Sequence, residues 1–596
     1  MESILWQIRA LDSFGELYLA ALFVTLLFCW DYVVLVPRFL LARALYGEAR
    51  GHRARQVQAL PLLVVIPSLL RERDELSSLM STVESIATNG YPAPLTIVVT
   101  IDGTSDAPPL WSELRMWAAR QGFGARTALY VTGTPERRSK PMAIDHAMHF
   151  VKALVAQGEL PEFPPAYVST DADADLGSHA LEAIVLRLQR RNSLTGSPAR
   201  VVAGALHVRG NSFWRGWRQF FTIAGQLNLQ VAREYYVGNI WRHNIRALPI
   251  TGVPGAFYCT WSEIFLTIPS YFGYLRTLNR RHWLMWWVGV RPPRFSDSQA
   301  APIPELVAGD TDDTVTAYLA SIARWENGRF TFEAPPTPLH AFFYMLRSIL
   351  IDRALHYEPS ARVYTSSPTT IKSLFRQRKR WNSSRIELTG RFWRALGYHW
   401  SLGLPVMIVK ALIARSVILG GIAYVYLPLV VCKASVVTGF LLGYFCQILV
   451  FSTVTFLALL MNAELDCWRM AIGLPLAPLY NLIFNFLPGA AGAISDVLLF
   501  GNITGFSPEW TLKRGRSERI ALLYRLRRAV LLAVRSVLYG DVPFGSFWFG
   551  WGETPWTPSG FDGWTTRKKP RPIVPRRSDW LRARSGQPDP AGGTKR

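Results

Sequence analysis

A short β-favouring run that ends in alternating carboxylates occupies residues 167–181, YVSTDADADLGSHAL. Asp171, Asp173 and Asp175 close this run, and Gly177 and a helix-like Ala/Leu segment follow it. Acids at i and i+2 of an extended strand end point the same way, which suits a hard divalent cation such as Mg²⁺ or Mn²⁺. The same string also suits a solvated turn or a helix start, so by itself it leaves both readings open.

The composition favours a membrane component and an anionic partner. Hydrophobic residues make up 50% of the 596, a high share for a purely water-soluble protein. Lys and Arg outnumber Asp and Glu and give a formal net charge of +23, which suits anionic lipid surfaces, phosphate-bearing substrates and nucleic acid alike. The five cysteines lack C-x-x-C or zinc-site spacing, so neither a disulfide framework nor a structural zinc site is predicted.

Apolar stretches long enough to cross a bilayer flank a more polar middle region. The first covers residues 17–41, and the arginine-rich run after it predicts a cytosolic middle region by the positive-inside rule. Asp31 leaves open a buried helix of a soluble domain as the alternative for this stretch. Further stretches cover residues 406–431, 435–461 and 472–506, and the basic run that follows them predicts an even number of later crossings.

The middle region, residues 57–396, alternates β-rich runs with helix-like stretches, which is typical of an α/β domain with a mainly parallel sheet. Residues 60–76 are predicted to form a strand, a turn marked by proline and a helix. Residues 94–110 are predicted to form a strand and then an acidic loop that contains Asp102. Ligands bind at the carboxyl ends of strands in such sheets, so Asp102 and the acids of residues 171–175 predict a nucleotide and metal site. Alone, Asp102 would suit a plain turn.

Six short motifs occur in one order: IDGTSD (101–106), SKPMAIDHAM (139–148), TDADAD (170–175), TGVPGAFY (251–258), AGDTDD (308–313) and RQRKRW (376–381). Their order and spacing resemble those of the membrane-integrated inverting glycosyltransferases of family 2, most of all the processive hyaluronan, chitin and cellulose synthases. The resemblance extends over residues 60–385, and the last motif matches the Q-x-x-R-W signature. It implies a GT-A fold, a nucleotide-sugar donor, Mg²⁺ or Mn²⁺, and an integral protein of the bacterial inner (plasma) membrane with its catalytic domain in the cytosol.

On the donor side, the resemblance implies that Asp102 contacts the uracil and ribose of UDP. Asp171 and Asp173 match the metal-binding pair beside the donor, with Asp173 as the direct ligand. Lys140 falls where the family places a cation near the donor phosphates, which suits the charge that builds up on the leaving UDP. An exposed loop lysine is the alternative for Lys140. Asp175 has no counterpart in the family pattern.

On the acceptor side, the resemblance implies a loop of small residues that lets the backbone approach the ligand closely. This loop contains Gly252, Pro254 and Gly255. A plain tight turn would have a similar sequence. Gln377 and Arg380 match residues that hold the pyrophosphate, and Trp381 matches a flat apolar face for the acceptor sugar. From the residues alone, this basic run also suits a solvated or lipid-facing helix.

The general base is expected in the acidic string of residues 308–313, just ahead of helical spacing. The resemblance places the base in a Glu-Asp or Gly-Asp pair here, and the pair Gly309 and Asp310 fits best, so Asp310 is the predicted base. Asp312 is the alternative, because Asp313 stands where the family has an apolar residue. From the residues alone, the string also suits a helix N-cap with an acidic first turn.

The predicted organisation combines an α/β GT-A glycosyltransferase domain, with a mainly parallel sheet, and an α-helical transmembrane bundle. Residues 1–56 form an N-terminal transmembrane helix and a basic linker, and residues 57–398 form the cytosolic catalytic domain. Residues 399–510 form an interface helix and the transmembrane helices. Residues 511–596 form a basic amphipathic helix, a segment rich in Gly, Trp and Pro that suits either a gate over the donor pocket or an interfacial aromatic belt, and a disordered tail.

The predicted function is transfer of a hexose from a UDP-sugar to a growing β-linked polysaccharide, coupled to its export. A non-processive transferase that acts on a lipid or oligosaccharide acceptor is the alternative. A transporter or channel with a regulatory domain would explain the apolar stretches but not the acidic strand ends. A nucleic-acid-binding protein would explain the charge but not the apolar stretches. The predicted partners are therefore a UDP-sugar, a polysaccharide or oligosaccharide acceptor and membrane lipids, and not nucleic acid.

Overall fold

The computed structural model describes the α/β region and a few segments beyond it. The longer described ranges are 60–135, 140–192, 194–209, 221–242, 253–267, 323–332, 354–375, 377–378 and 473–480. The shorter pieces are 40, 285, 288–289, 316, 320, 339–340, 343, 347, 352, 444–445, 448–450 and 452–456.

A mixed eight-stranded sheet lies at the centre of the described residues. The strands are β1 Leu62–Ser68, β2 Leu95–Asp102, β3 Thr127–Thr134, β4 Ala166–Thr170, β5 Ala174–Leu176, β6 Val201–Val208, β7 Phe257–Trp261, β8 Arg324–Glu326, β9 Arg329–Thr331 and β10 Leu355–Thr365. Neighbours follow the order β3-β2-β1-β4-β7-β6-β10-β5, while β8 and β9 form a separate hairpin. In the large sheet, β5 and β7 run against the other six strands. The predicted α/β domain with a mainly parallel sheet is therefore confirmed.

Helices pack against both faces of this sheet. The helices with described bounds are α1 Arg73–Ala87, α2 Pro108–Arg120, α3 Lys140–Ala156, α4 Ala180–Gln189, α5 Ile223–Arg242 and, later in the chain, the short α6 Ala477–Tyr480. The side chains of Glu72 and Glu75 form a capping box at the start of α1, which supplies partners for backbone N–H groups that the first turn leaves unsatisfied. The helix predicted after the acidic string begins, as expected, at Ala180.

Strand β1 is buried on both faces, because helices pack against each of them. Leu63 and Val65 join residues of α3 in one hydrophobic cluster. Leu62, Val64 and Ile66 join residues of α1 and α4 in the other. A continuous apolar run of this kind is typical of a parallel strand covered on both sides. The central position of β1 places the carboxyl ends of β2 and β4 on either side of it.

Pro67 lies inside β1 rather than in the turn predicted for residues 60–76. Pro67 stands opposite Thr100 of β2 in the parallel register. On the other side, the described pairing of β1 with β4 ends at Val65 opposite Ser169. Proline has no backbone N–H to donate, so a strand tolerates it where one of its two sides has no hydrogen-bonded neighbour. This explains why β1 continues through Pro67 to Ser68.

The predicted transmembrane bundle falls largely on residues outside the described ranges. Residues 406–431 lie wholly outside them, as does all of 17–41 except Leu40. Within the part of the chain that the structure describes, no helix combines the length and the apolar character needed to cross a bilayer.

Candidate active site

The carboxyl ends of β2 and β4 lie at the same edge of the sheet. Both strands pair in parallel with β1, which lies between them. β2 ends at Asp102, and Asp171 directly follows the end of β4. The structure therefore brings together the acid assigned to the nucleoside and the start of the acidic string assigned to the metal, at the edge where α/β sheets bind ligands.

Asp102 is held in place by the end of the neighbouring strand. Its carboxylate is buried, and Oδ1 accepts a hydrogen bond from Thr134 Oγ1 at 3.3 Å. The backbone N–H groups of Gly103 and Thr104 donate to the carbonyl of Thr134 at 3.1 and 2.8 Å. Gly103 has a φ of 87°, in the left-handed region that favours glycine. The chain thus turns directly after Asp102, and Thr134 stabilises both the carboxylate and the turn.

Lys140 joins the acidic string to the predicted acceptor loop. Its Nζ lies 2.8 Å from Asp171 Oδ1 and donates to the carbonyl of Gly255 at 3.2 Å. The backbone N–H of Asp171 donates to the carbonyl of Ala256 at 3.2 Å. Lys140 is the first residue of α3 and is partly buried, so the structure does not show it as an exposed loop lysine. Pro254, in the same loop, is buried.

The environment of Asp173 suits a cation. Burial and the neighbouring Asp171 carboxylate raise the pKa of Asp173 to about 6, against opposing effects of Arg209 and of backbone N–H groups that include that of Ser366. A buried carboxylate beside a second carboxylate gains from a nearby positive charge. The pair therefore fits a hard divalent cation, for which carboxylate oxygens are the usual ligands.

The pair Asp171 and Asp173 would supply only part of a coordination sphere. Among the described residues, no group of three or more His, Cys, Asp or Glu side chains is arranged to hold a metal ion. Mg²⁺ commonly takes one or two protein carboxylates and completes its shell with water and substrate phosphates. The two acids fit a site of that kind, which a bound diphosphate would complete.

Asp175, which has no counterpart in the family pattern, has partners of its own. Its carboxylate forms an ion pair with Arg209, the residue after β6, and accepts a hydrogen bond from Ser81 Oγ at 3.2 Å. Its backbone lies in β5, opposite Tyr364 of β10. The third acid of the string is therefore committed to structural contacts. Sequence reasoning missed Arg209, because nothing local in the sequence links it to a strand over thirty residues earlier.

The basic Q-x-x-R-W region has one described contact that sequence reasoning did not anticipate. Arg378, next to Gln377, is buried and forms an ion pair with Glu234 of α5. Tyr480 Oη donates to Glu234 at 3.1 Å and accepts from Arg378 at 3.1 Å. Burial acts to lower the pKa of Arg378, but Glu234, Tyr480 and Tyr235 together outweigh it. The net pKa is raised, so the guanidinium stays charged. The basic run is therefore not simply a solvated face.

This cluster of Glu234, Arg378 and Tyr480 makes a prediction about stability. Glu234→Gln should lower the Tm of the purified protein by about 5 °C, because a buried guanidinium loses its counter-charge. The double variant Glu234→Gln with Arg378→Met should lose less than the sum of the two single variants. Thermal unfolding followed by intrinsic fluorescence measures both. Strictly additive losses would contradict an energetic coupling between the two side chains.

Several predicted site residues lie outside the described ranges. They are Gly252, Asp310, Asp312, Arg380 and Trp381. Their assignments remain predictions from the sequence. Gln377 is described and helical, and it is partly buried.

No family model and no curated protein matches this chain. Its structure is similar to that of a solved mannosyltransferase, PcManGT from Pyrobaculum calidifontis in complex with GDP-Man and Mn²⁺, at 14% identity and a TM-score of 0.38 over 75% of this chain and 99% of that chain. It is also similar to glucosyl-3-phosphoglycerate synthase from Mycobacterium tuberculosis in complex with Mn²⁺, UDP and phosphoglyceric acid, at 14% identity and a TM-score of 0.24 over 57% of this chain and 78% of that chain. Neither TM-score reaches 0.5, and the function proposed below rests on the sheet edge and its residues.

Proposed function

We propose that this protein is an inverting glycosyltransferase with a GT-A catalytic domain, which transfers a hexose from a UDP-sugar with the help of Mg²⁺ or Mn²⁺. The observation that carries the proposal is the meeting of Asp102, Lys140, Asp171 and Asp173 at one edge of the sheet. The buried acid suits the ribose of a nucleoside diphosphate donor, and the lysine suits its phosphates. The paired carboxylates suit the metal ion that such a donor binds. The order of the six sequence motifs supports the same assignment.

The described residues divide the binding of the donor among them. Asp102, oriented by Thr134, is placed to accept hydrogen bonds from nucleoside hydroxyl or N–H groups. Asp171 and Asp173 would hold the metal, which when bound offsets the charge of the departing diphosphate. Lys140 adds a second positive charge beside the same acids, and such preorganised charge favours the transition state over the ground state.

The acceptor loop is connected directly to the donor acids. The carbonyls of Gly255 and Ala256 accept hydrogen bonds from Lys140 and from the backbone of Asp171. An acceptor bound against this loop would therefore lie at a set distance from the donor, which is the positioning that transfer between two bound substrates needs. Asp310 is proposed as the base that takes the acceptor proton.

Chain extension and export are the finer part of the proposal. The Q-x-x-R-W string and the apolar stretches of the sequence support it. Three exposed, large apolar side chains also support this part of the proposal: Phe445, Leu449 and Phe456. Val454 of the same stretch is buried. Spacings of four and seven residues place these three on one side of a helix, as a lipid-facing surface would require. The proposed location is a bacterial inner membrane, with membrane lipids as partners and a polysaccharide as the acceptor.

A donor screen tests this function. The full-length protein, purified in detergent, is incubated with UDP-hexoses and UDP-N-acetylhexosamines in turn, with Mn²⁺ or Mg²⁺, and both UDP release and product length are measured. We expect UDP release with one class of donor, loss of release in excess chelator, and products of many sugar units. A single added sugar would instead favour the non-processive alternative. No release from any donor, or full turnover in excess chelator, would contradict the proposed chemistry.

A further inference from the structure

One side of α1 faces the acidic string, and its central contact is made by Thr82. Thr82 is fully buried, and its Oγ1 donates to the carbonyl of Ala172 at 2.9 Å. Ala172 is the residue between Asp171 and Asp173, so this bond holds the peptide that separates the two carboxylates. A shift of this peptide would change the distance and angle between them.

Neighbouring hydroxyls of α1 extend the contact along the string. Ser85 Oγ accepts a hydrogen bond from the backbone N–H of Leu176 at 3.2 Å. Ser81 Oγ donates to Asp175 Oδ1 at 3.2 Å. The side chains at 82 and 81 both neighbour that at 85, because residues three and four positions apart share a face of a helix. The same side of α1 therefore contacts the string at Ala172, Asp175 and Leu176.

Asn89, two residues past the end of α1, completes this row. Its Nδ2 donates to the carbonyl of Gly177 at 2.7 Å, and its Oδ1 accepts from the backbone N–H of Leu181 at 3.0 Å. Leu181 belongs to the first turn of α4, where backbone N–H groups need a partner. Asn89 thus holds both the end of the acidic string and the start of the next helix.

Burial alone does not require these polar contacts. Leu76, Leu79, Val83 and Ile86 of α1 already pack in the hydrophobic core. Elsewhere on this segment, the Thr88 hydroxyl donates to the carbonyl of Glu84 within α1 at 2.7 Å, as exposed helical hydroxyls commonly do. Thr82 differs, because its hydroxyl bonds to a segment 90 residues away.

We propose that Thr82, Ser85 and Asn89 are positioning residues that set the geometry of the Asp171 and Asp173 carboxylates for the divalent cation. This rests on the proposed function, in which those two acids hold the metal. Lys140 and the acceptor loop form hydrogen bonds with Asp171. Side chains of α1 and the residues just after it form hydrogen bonds with the rest of the string, from Ala172 to Gly177. Backbone bonds around a metal site act on affinity by limiting the movement of its ligands.

The test compares Thr82→Val with Thr82→Ser, using Thr88→Val as the matched control. Valine keeps the shape of threonine but cannot donate to Ala172, whereas serine keeps the hydroxyl. Binding of Mn²⁺ to the full-length protein in detergent, with saturating UDP, is measured from the loss of the free-Mn²⁺ EPR signal, against a protein-free Mn²⁺ and UDP blank. The apparent KM for Mn²⁺ and the kcat at saturating Mn²⁺ are measured alongside.

We expect Thr82→Val to weaken Mn²⁺ binding about tenfold, with the larger change in the KM for Mn²⁺ and the smaller in kcat. Thr82→Ser and Thr88→Val should bind as the wild type does. Wild-type affinity in Thr82→Val, or equal losses in Thr82→Val and Thr88→Val, would overturn the inference while leaving the proposed function intact. If Thr82→Val does not fold, Ser85→Ala takes its place under the same criteria. A wild-type protein that binds no Mn²⁺ would overturn the metal site itself, and the inference with it.

Discussion

Asp173→Ala should abolish sugar transfer, with a fall in kcat/KM of about 10³ or more, because the metal site would lose its direct ligand and the leaving diphosphate its charge neutralisation. The structure adds a reason for the size of the effect. Asp171 already has Lys140 at 2.8 Å and a backbone hydrogen bond to Ala256 of the acceptor loop, so it is not placed to replace a missing neighbour. UDP release and Mn²⁺ binding by EPR measure the loss.

Asp175→Asn is the matched comparison for this variant, since it removes a carboxylate from the same string. Asp175 pairs with Arg209 and Ser81, and the structure therefore predicts that its removal leaves Mn²⁺ affinity within about threefold of wild type. If Asp175→Asn lost Mn²⁺ binding and Asp173→Ala retained it, the assignment of the string would be wrong by two residues.

The elements around the site could be predicted because their signals are local. The apolar runs of β1 and β2 and the acids at the ends of β2 and β4 are visible in short windows of sequence. Parallel strands that share a neighbour place their carboxyl ends at one edge, so the meeting of Asp102 with Asp171 follows from the α/β pattern alone.

The remaining contacts depend on segments far apart in the chain. β7 runs between β4 and β6 in the opposite direction, and no local pattern fixes where a strand inserts into a sheet. The partners of Asp175 and of Arg378 come from other elements for the same reason. The contact of Thr82 could not be predicted either, because a threonine inside a helix is expected to face solvent until its distant partner is known.

In the proposed inverting mechanism, the general base would come from outside the described edge of the sheet. Inversion needs an acceptor hydroxyl on the face opposite the leaving UDP, and something has to accept its proton. Asp171 and Asp173 would be committed to the cation on the leaving-group side. Asp102 is buried against Thr134, and Asp175 is paired with Arg209. The proposed mechanism would then need an acid on a separate segment, and the predicted candidate is Asp310 of AGDTDD, which lies in the sequence between the acceptor loop and the Q-x-x-R-W string.

Asp310→Asn should therefore retain UDP-sugar binding and lose transfer by about 10² or more, because asparagine keeps the size of the side chain and much of its hydrogen bonding but cannot take up the proton. Donor affinity, measured by displacement of UDP, separates this result from a folding defect. Asp312→Asn serves as the control, and it should keep most of its activity. The opposite pattern, an active Asp310→Asn and an inactive Asp312→Asn, would move the base to Asp312. If both variants bind the donor and keep full transfer, the base lies outside this segment, since a proton acceptor contributes to the chemical step and not to the affinity for the donor.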